Sequence, residues 1–432
     1  MVMLLESAAG DFEDRFSQLL AAKREVSVDV DATVRAIIDD VRARGDDALI
    51  ELTKRFDNVD LADKGIRVSE AEIDEAVTQV ERETFAALEF AHKRIVAHHQ
   101  KQLPKDDLYR DATGAELGSR WSAVEAAGLY VPGGTASYPS SVLMNAVPAK
   151  VAEVARIAMV VPTPDGKVNS LVFAAARLAG VDEIYRVGGA QAIAALAYGT
   201  KTIAPVATIA GPGNAYVAAA KRQVFGAVGI DMIAGPSEVL VVADDQNDPD
   251  WIAADLLAQA EHDTSAQSIL ITDSSEFAQA VSQAVERQLG RLPRAQIARE
   301  SWENFGAIIV LNSLDEAPPL VDRIAPEHLE IATEDPDALM NRIRNAGAIF
   351  LGRYTPEAIG DYVAGSNHVL PTARSARFSS GLGVLDFMKR TSILRLGPDA
   401  LKELAPSAMT LAKAEGLDAH VRSVSIRLNQ ER

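Results

Sequence analysis

An apolar run in the middle of the sequence, in the stretch DLLAQAEHDTS (255–265), ends in four polar side chains: Gln259, Glu261, His262 and Asp263. Asp248 followed by Pro249 is a good helix start, because Asp caps the first N–H groups and Pro is favoured at the first helical position. The sequence therefore predicts a helix from Pro249 to about His262. A spacing of three places the Gln259 amide and the His262 imidazole on one face, as two metal ligands on one turn require. A polar helix end at the surface is the alternative.

Two further segments offer donors for the same cation. The segment AIGDYVAGSNHVLPT places Asp361 after the strand AIFLG, and ligands in open α/β sheets gather at the carboxyl ends of strands. A helix N-cap is the alternative role for this Asp. His420, in the tail, could complete a set of four nitrogen and oxygen donors. Because the chain contains no cysteine, we expect zinc, with manganese or cobalt as possible substitutes.

The motif APEHLE suggests proton transfer rather than metal binding. Glu327 and His328 are adjacent and cannot face the same way within a helix or strand, but at a turn they can converge on one small substrate. A carboxylate and an imidazole with separate pKa values can serve as base and acid in successive steps near neutral pH. An exposed loop is the alternative. His92, His98 and His99, which lie among charged residues, are predicted to be solvated.

Three glycine-containing turns follow predicted strands: VPGGTAS, VGGAQA and AGPGNAY. Glycine allows close approach of a pyrophosphate, and the N-terminus of the next helix favours negative charge. Polar side chains at Tyr130, Gln191 and Asn214 lie beside these turns. None of the turns matches GxGxxG, so ordinary tight strand-to-helix turns remain an alternative to a dinucleotide site.

These residues are embedded in an alternation of β-rich runs and Ala-rich helical patterns, which predicts parallel βαβ units in an α/β fold. The candidate strands of a first series are GLYVP, RIAMVVP, EIYRVG and VATIAG, and those of a second series, which begins after PSEVLVVADD, are SILITD, AIIVLN and AIFLG. The first hundred residues show helical periodicity and are expected to form a helical packing arm. Beyond Phe378 the strand signal fades, and an amphipathic tail helix is predicted to dock on another surface.

Composition excludes several classes of function. The chain has 432 residues, 48% of them hydrophobic, and a net charge of −18, which disfavours nucleic acid and anionic membranes as partners. No run of 18 apolar residues and no basic, apolar leader is evident, so we expect a cytoplasmic protein with a small-molecule substrate. The absence of cysteine excludes disulfides, thiolate nucleophiles and iron–sulfur clusters.

Longer segments are more specific than these short motifs. LYVPGGTASYPSSVLMNAVPAKVA, IAGPGNAYVAAAK, DMIAGPSEVLVVAD, LLAQAEHD, APEHLEI, GDYVAGSNHVLPT and, in the tail, AEGLDAHVRSV together resemble histidinol dehydrogenase over nearly the whole chain. The resemblance implies a zinc-dependent, NAD-linked homodimer that oxidises L-histidinol to L-histidine through an aldehyde. This reaction consumes two NAD and is the last step of histidine biosynthesis.

The resemblance also assigns roles to individual residues. The implied ligands of one zinc per subunit are Gln259, His262, Asp361 and His420, and the implied proton-transfer pair is Glu327 and His328. The implied substrate contacts are Ser237, His368 and Glu415, together with the four zinc ligands and His328. The implied NAD contacts are Tyr130, Gln191 and Asn214. The tail that carries Glu415 and His420 is expected to reach the active site of the partner subunit.

The resemblance further implies two incomplete Rossmann-like domains, one inserted into the other. The expected division is an N-terminal arm (1–24), a discontinuous first α/β domain (25–129 and 239–380), a second α/β domain with the NAD loops (130–238) and a tail domain at the dimer contact (381–432). Three other functions stay open: a related dehydrogenase of another small alcohol, a metal-assisted hydrolase with Glu327 as base, and a nucleotide-binding regulatory protein with a structural zinc.

Overall fold

The computed structural model of the chain describes residues 2–21, 28–133, 138–233 and 235–428. Within these ranges the strands form three sheets. The strands, in chain order, are β1 Met3–Glu6, β2 Asp107–Arg110, β3 Glu116–Ala123, β4 Ala126–Tyr130, β5 Arg156–Val160, β6 Glu183–Tyr185, β7 Thr208–Ala210, β8 Gly229–Ile230, β9 Glu238–Ala243, β10 Gln267–Thr272, β11 Ala307–Val310, β12 His328–Ala332, β13 Ala348–Leu351 and β14 Met388–Arg395.

Helices cover both faces of the two larger sheets. They are α1 Phe12–Ala21, α2 Val28–Arg44, α3 Asp46–Asp57, α4 Leu61–Lys64, α5 Glu70–Thr78, α6 Arg82–His99, α7 Pro139–Val151, α8 Ser170–Ala179, α9 Gly189–Tyr198, α10 Ala215–Val224, α11 Pro249–Ala260, α12 Ser275–Leu289, α13 Ala295–Phe305, α14 Ala317–Ile324, α15 Pro336–Met340, α16 Glu357–Tyr362, α17 Pro398–Ala414 and α18 Asp418–Ser425. In the described part of the chain, no helix is both long and apolar enough to cross a bilayer.

The five-stranded sheet is parallel, in the order β6-β5-β4-β7-β8, and contains all four strands predicted for the first series. The strands are almost fully buried, as expected when helices cover both faces of a parallel sheet. Local signals set the helix ends: the Asn169 side chain caps α8, and Gly180, in the left-handed region, ends it. The sheet places the three glycine turns at the carboxyl ends of β4, β6 and β7.

The six-stranded sheet is also parallel, in the order β1-β11-β10-β9-β12-β13. It contains the three strands predicted for the second series, the strand β9 in the segment PSEVLVVADD that precedes that series, and two strands that were not predicted, β1 and β12. Each residue of β9, β10 and β12 is buried. The α/β fold with two parallel sheets is therefore confirmed, and the predicted start of α11 is confirmed by the Asp248 side chain, which accepts the Asp250 N–H.

The helices between residues 28 and 99 pack on the five-stranded sheet, where α2 contacts α9 and α10, and α6 contacts α7. The sequence-based division grouped 25–129 with the other sheet, and this packing differs from it. Only β1 and α1, from the N-terminal arm, join the six-stranded sheet. The cause is the apolar stripe of α2 and α3, which is buried against the Ala-rich surface of α9. The domain boundaries themselves stay a prediction.

The predicted helix from Pro249 to about His262 agrees within two residues with α11, which ends at Ala260. Two other local predictions are wrong. Strand signal does not fade after Phe378, because β14 pairs antiparallel with β3 in a three-stranded sheet with β2. His99 is fully buried and not solvated: its Nδ1 lies 2.8 Å from the Ile95 carbonyl oxygen, and Asn367 contacts its Nε2.

Candidate metal centre and nucleotide loops

The candidate metal centre lies at the amino-terminal edge of the six-stranded sheet. His328 is the first residue of β12, and its strand partner Val239 is the second residue of β9. Helix α11 returns to this edge and brings Gln259 to it, and the short helix α16 ends near Asp361. The expectation that Asp361 sits at the carboxyl ends of the strands is therefore wrong. The segment between β13 and α16 is long enough to return the chain to the opposite edge.

The APEHLE motif is buried, not an exposed loop. Glu327 accepts the backbone N–H of Glu238 at 2.9 Å, and the Nδ1 of His328 lies 3.0 Å from the carbonyl oxygen of the same residue. These two bonds attach the motif to the start of β9. The Glu327 carboxylate also lies 3.7 Å from Nδ1. Because Nδ1 faces a carbonyl oxygen, it carries the proton, and Nε2 is left as the acceptor nitrogen.

The Nε2 atom of His328 lies 3.9 Å from the Asp361 carboxylate. Among the described residues, one group of three acidic or imidazole side chains has ligand atoms within 4.8 Å of one another: His328, Glu357 and Asp361. His368 adds its Nδ1, 3.0 Å from the Asp361 carbonyl oxygen, while its Nε2 lies 3.3 Å from the Ser141 hydroxyl on α7. Since α7 belongs to the five-stranded sheet, the centre lies where the two sheets face each other.

Burial controls the protonation of the imidazoles. It lowers the pKa of His328 to about 4, and the Asp361 carboxylate opposes this only in part. Burial also lowers the pKa of His368, again against the effect of Asp361. Both rings are therefore neutral at neutral pH, the state in which imidazole accepts a proton or binds a metal.

Gln259 is fully buried, and neither its amide oxygen nor its amide nitrogen has a hydrogen-bond partner among the described residues. Nε2 of His328 has none either. Buried polar atoms without partners cost free energy, so such atoms at one point of a fold indicate a missing partner. A divalent cation with nitrogen and oxygen ligands fits this donor set.

The other predicted site residues lie outside the cluster of His328, Glu357 and Asp361. His262 is exposed and follows the end of α11, but its charge would act on both His328 and His368, so it lies near them. Ser237 is half-buried and immediately precedes β9. Glu415 and His420, by contrast, are exposed on the tail around α18 and are not part of the three-residue cluster.

The glycine turns of the five-stranded sheet are held by defined contacts. Tyr130 ends β4, is 4% exposed, and its hydroxyl accepts the Gly189 N–H at 3.2 Å. Burial raises the pKa of this phenol to about 12, so it stays protonated. Gln191 is buried on α9, against Gly189. Asn214 is exposed and caps α10 by accepting the N–H groups of the residues two and three positions later. Part of the first turn, residues 134–137, lies outside the described residues.

The third turn is fixed by a buried ion pair. Lys221 on α10 and Asp231 after β8 contact each other, and their side chains are 3% and 1% exposed. Lys221 also donates to the Gly211 carbonyl oxygen at 2.9 Å, and Asp231 accepts the Gly211 N–H at 2.8 Å. Gly211 has a φ of +114°, and a Cβ there would lie 2.2 Å from the Tyr130 carbonyl oxygen. Only glycine fits this close approach.

Sequence reasoning missed a layer of acids beside the centre: the buried Glu330 and Glu357 and the partly exposed Asp255. Glu330 and Glu357 are almost fully buried, and burial is the first cause that raises the pKa of each well above its usual value. An acid inside a buried strand is the signal that could have identified Glu330, since buried charges are rare unless they are paired. Glu357 resembled an ordinary first-turn acid of a helix.

Fold and site together define a class: an α/β protein of two facing parallel sheets, with glycine turns on one and a metal-competent acid–imidazole centre on the other. The family model described as histidinol dehydrogenase matches residues 20–428. The chain belongs to the histidinol dehydrogenase family. It is 69% identical over 431 residues to a histidinol dehydrogenase from Agrobacterium fabrum, covering 100% of each chain. A histidinol dehydrogenase from Rhizobium meliloti is 68% identical, with 99% of each covered.

A solved structure supports the fold. The histidinol dehydrogenase from Elizabethkingia anophelis superposes with a TM-score of 0.95 at 36% identity, and 99% of this chain and 98% of that chain are covered.

Proposed function

We propose that the chain is a zinc-dependent, NAD-linked histidinol dehydrogenase, which converts L-histidinol to L-histidine through an aldehyde in the cytoplasm. The observation that carries this proposal is the pair of His328 and Asp361, whose Nε2 and carboxylate lie 3.9 Å apart, beside the helix α11, on which the buried Gln259 amide has no hydrogen-bond partner among the described residues. In a chain of this family, these donors fit a bound cation and a nitrogen-rich substrate.

The proposed zinc ligands are Gln259, His262, Asp361 and His420, the last donated by a second copy of the chain. Zinc, when bound, supplies a positive centre that holds and orients the substrate. Glu357 is the third member of the cluster formed with His328 and Asp361. We assign it to the surroundings of His328 instead, because its Oε1 lies 3.7 Å from Nδ1. Ser237, His368 and Glu415 are proposed as substrate contacts.

The proton steps follow from the geometry of the APEHLE motif. Nε2 of His328 accepts the hydroxyl proton while the alcohol carbon loses a hydride, which gives the aldehyde. Glu327 then takes a proton from the water that adds to the aldehyde. His328, after it has released its first proton, accepts the remaining hydroxyl proton as the hydrated aldehyde loses the second hydride to give the carboxylate. NAD, when bound, accepts one hydride in each oxidation. Since the chain has no cysteine, a thiohemiacetal cannot form.

The proposed NAD site uses the carboxyl ends of the five-stranded sheet, where nucleotides bind in open α/β sheets. Tyr130 and Gln191 line the first and second turns, and Asn214 starts the helix after the third. The contact between Ser141, on α7, and His368 connects this edge to the metal centre. A nicotinamide at these turns would therefore lie on the side of the substrate.

The exposed surface of the tail (residues 381–432) supports the proposal of a homodimer. Its strand and helices expose large apolar side chains, among them Leu394 at 63%, Leu411 at 64% and Ile426 at 52%. Exposed apolar surface on this scale indicates a protein–protein contact. His420 and Glu415 lie on the same exposed tail. A symmetric dimer in which each tail reaches the other subunit would bury these residues and complete both sites.

Purified protein is incubated with L-histidinol and NAD, and NADH is followed by absorbance. We expect two NADH per histidinol, loss of activity after chelation, and recovery with zinc. Formation of only one NADH per histidinol, or activity only with another small alcohol, would favour a related dehydrogenase. Substrate turnover without NADH would favour a hydrolase, and nucleotide binding without turnover would favour a regulatory protein.

Mixed dimers test the shared site. Inactive His262→Ala and His420→Ala proteins are unfolded together and refolded. If His420 acts across the interface, one of the two sites in each mixed dimer is intact, and about a quarter of wild-type activity returns. No recovery, with mixed dimers present, would contradict the sharing of the site.

A further inference from the structure

Glu330 is a buried acid that connects three elements of the metal centre. It lies two residues after His328 in β12, so both side chains point to the same face of the sheet. Its side chain is buried, and its Oε1 accepts the backbone N–H of Glu357, at the start of α16, at 2.6 Å. Its carboxyl group also shares a side-chain hydrogen bond with Asp255 of α11. Glu330, on strand β12, therefore contacts both helix α11 and helix α16.

Both helices carry a proposed zinc ligand one turn further on. Asp255 precedes Gln259 by four residues on α11, and Glu357 precedes Asp361 by four residues on α16. Residues four apart lie on the same face of a helix, one above the other. The acids therefore form a layer directly behind the ligands, and the helices α11 and α16 contact each other.

The bond between the acids is a strong constraint. Two carboxyl groups share a hydrogen bond only when one keeps its proton. Burial, followed by the charge of Asp255, raises the pKa of Glu330 well above its usual value, whereas the pKa of Asp255 rises to about 6. The pair of Glu330 and Asp255 therefore keeps a proton between its two carboxyl groups. Asp255 is partly exposed, so water can reach its outer face.

The ligand amide depends on this layer. The side-chain amide of Gln259 makes no hydrogen bond to any described residue, so its orientation depends on the position of α11. We propose that Glu330 is a positioning residue, which fixes the helices of Gln259 and Asp361 relative to His328 through its bonds to Asp255 and to the Glu357 N–H. This inference rests on the proposed zinc site.

The test compares Glu330→Gln with Glu330→Met in the full-length protein. A glutamine reproduces both bonds, since its amide N–H donates to Asp255 and its oxygen accepts the Glu357 N–H. A methionine fills similar space and makes neither bond. Zinc affinity is measured by competition with a chelator, and KM for histidinol and kcat are measured on zinc-loaded protein. Residues that orient metal ligands typically change affinity about 10–100-fold when replaced.

We expect Glu330→Met to weaken zinc binding by about 10–100-fold and to raise KM, and Glu330→Gln to stay within about threefold of wild type. Asp255→Ala, at a partly exposed position, serves if the Met variant does not fold, and should weaken zinc binding in the same direction. Asp386→Ala is the control for the Asp255→Ala variant. Asp386 is an exposed acid that accepts the Gly383 N–H at 2.7 Å on the segment before β14, and its loss should leave zinc affinity unchanged.

Three outcomes would overturn the inference: an unchanged zinc affinity in folded Glu330→Met or Asp255→Ala, an equal loss in the Gln and Met variants, or an equal loss in the Asp386 control. The first would mean that Glu330 only stabilises the fold. Absence of zinc binding by the wild-type protein would instead overturn the proposed function, so the two failures are distinguishable.

Discussion

Replacement of Lys221 by methionine tests whether the buried ion pair fixes the third glycine turn. The change removes the positive charge beside Asp231, whose side chain is 1% exposed, and leaves the Gly211 carbonyl oxygen without its donor. Methionine has the length of the lysine stem, so the main loss is electrostatic. The pair lies within the five-stranded sheet and contacts no proposed metal ligand.

The expected magnitude follows from the burial. Removal of one partner of a buried ion pair costs about 3–5 kcal/mol, because the other charge remains unpaired. The lost bond to Gly211 contributes about 1 kcal/mol of this. In the double variant Lys221→Met/Asp231→Asn, no charge is left, and the Asn oxygen still accepts the Gly211 N–H. We therefore expect the double variant to regain more than half of the loss.

The assay is denaturant unfolding followed by tryptophan fluorescence, with KM for NAD measured in parallel. The single variant should unfold at clearly lower denaturant and should raise KM for NAD, because Gly211 contacts Tyr130 and precedes Asn214. Equal losses of stability in the single and double variants would refute the reasoning, since the unpaired charge would then not be the cause. A loss below about 1 kcal/mol in the single variant would also refute it.

Three further predictions concern other residues. Glu327→Gln should keep the alcohol-to-aldehyde step and lose the second oxidation by about 100-fold or more, measured in single-turnover assays, and equal loss of both steps would contradict its role. His262→Asn should release zinc while the circular dichroism spectrum stays native, and unchanged zinc content would reject it as a ligand. Burial lowers the pKa of His99 below 6.5, so the unfolded chain binds the extra proton and stability is lost as pH falls from about 6.5 through the lowered value. His99→Asn should flatten this dependence of the melting temperature, and an unchanged slope would argue against it.

Much of the five-stranded sheet could be predicted because each strand of the first series is a short apolar run that ends in Gly or Pro before an Ala-rich helix. Strand β12 was missed because its first three residues include His328 and Glu330, and such polar residues are typical of a loop. Strand β14 was missed because its exposed edge carries Lys389, Arg390 and Arg395. Both are cases in which the position in the sheet overrides local composition.

The site was predictable only in part. Local sequence indicated Gln259 and the Glu327–His328 pair as candidates. It could not place the centre at the amino-terminal edge of the sheet, because that placement depends on the path by which the connections between strands return to this edge. His99 was misassigned since its neighbours are charged, although Ile95, one turn earlier, already marks the buried face of the same helix. Among the acids behind the ligands, Glu330 has a local signal as an acid inside a buried strand, whereas Asp255 and Glu357 have none, because only the packing of α11 and α16 brings them together.

The order of the strands also bears on biosynthesis. Strand β1 leaves the ribosome first, yet Met3 pairs with Ala307, so the edge of the six-stranded sheet stays open until most of the chain has been made. The five-stranded sheet and its helices are complete by residue 230. A chain truncated near residue 245 should therefore form a protease-resistant half that carries the proposed NAD turns and has no capacity for zinc, and the proposed metal centre should be the last part of the subunit to mature.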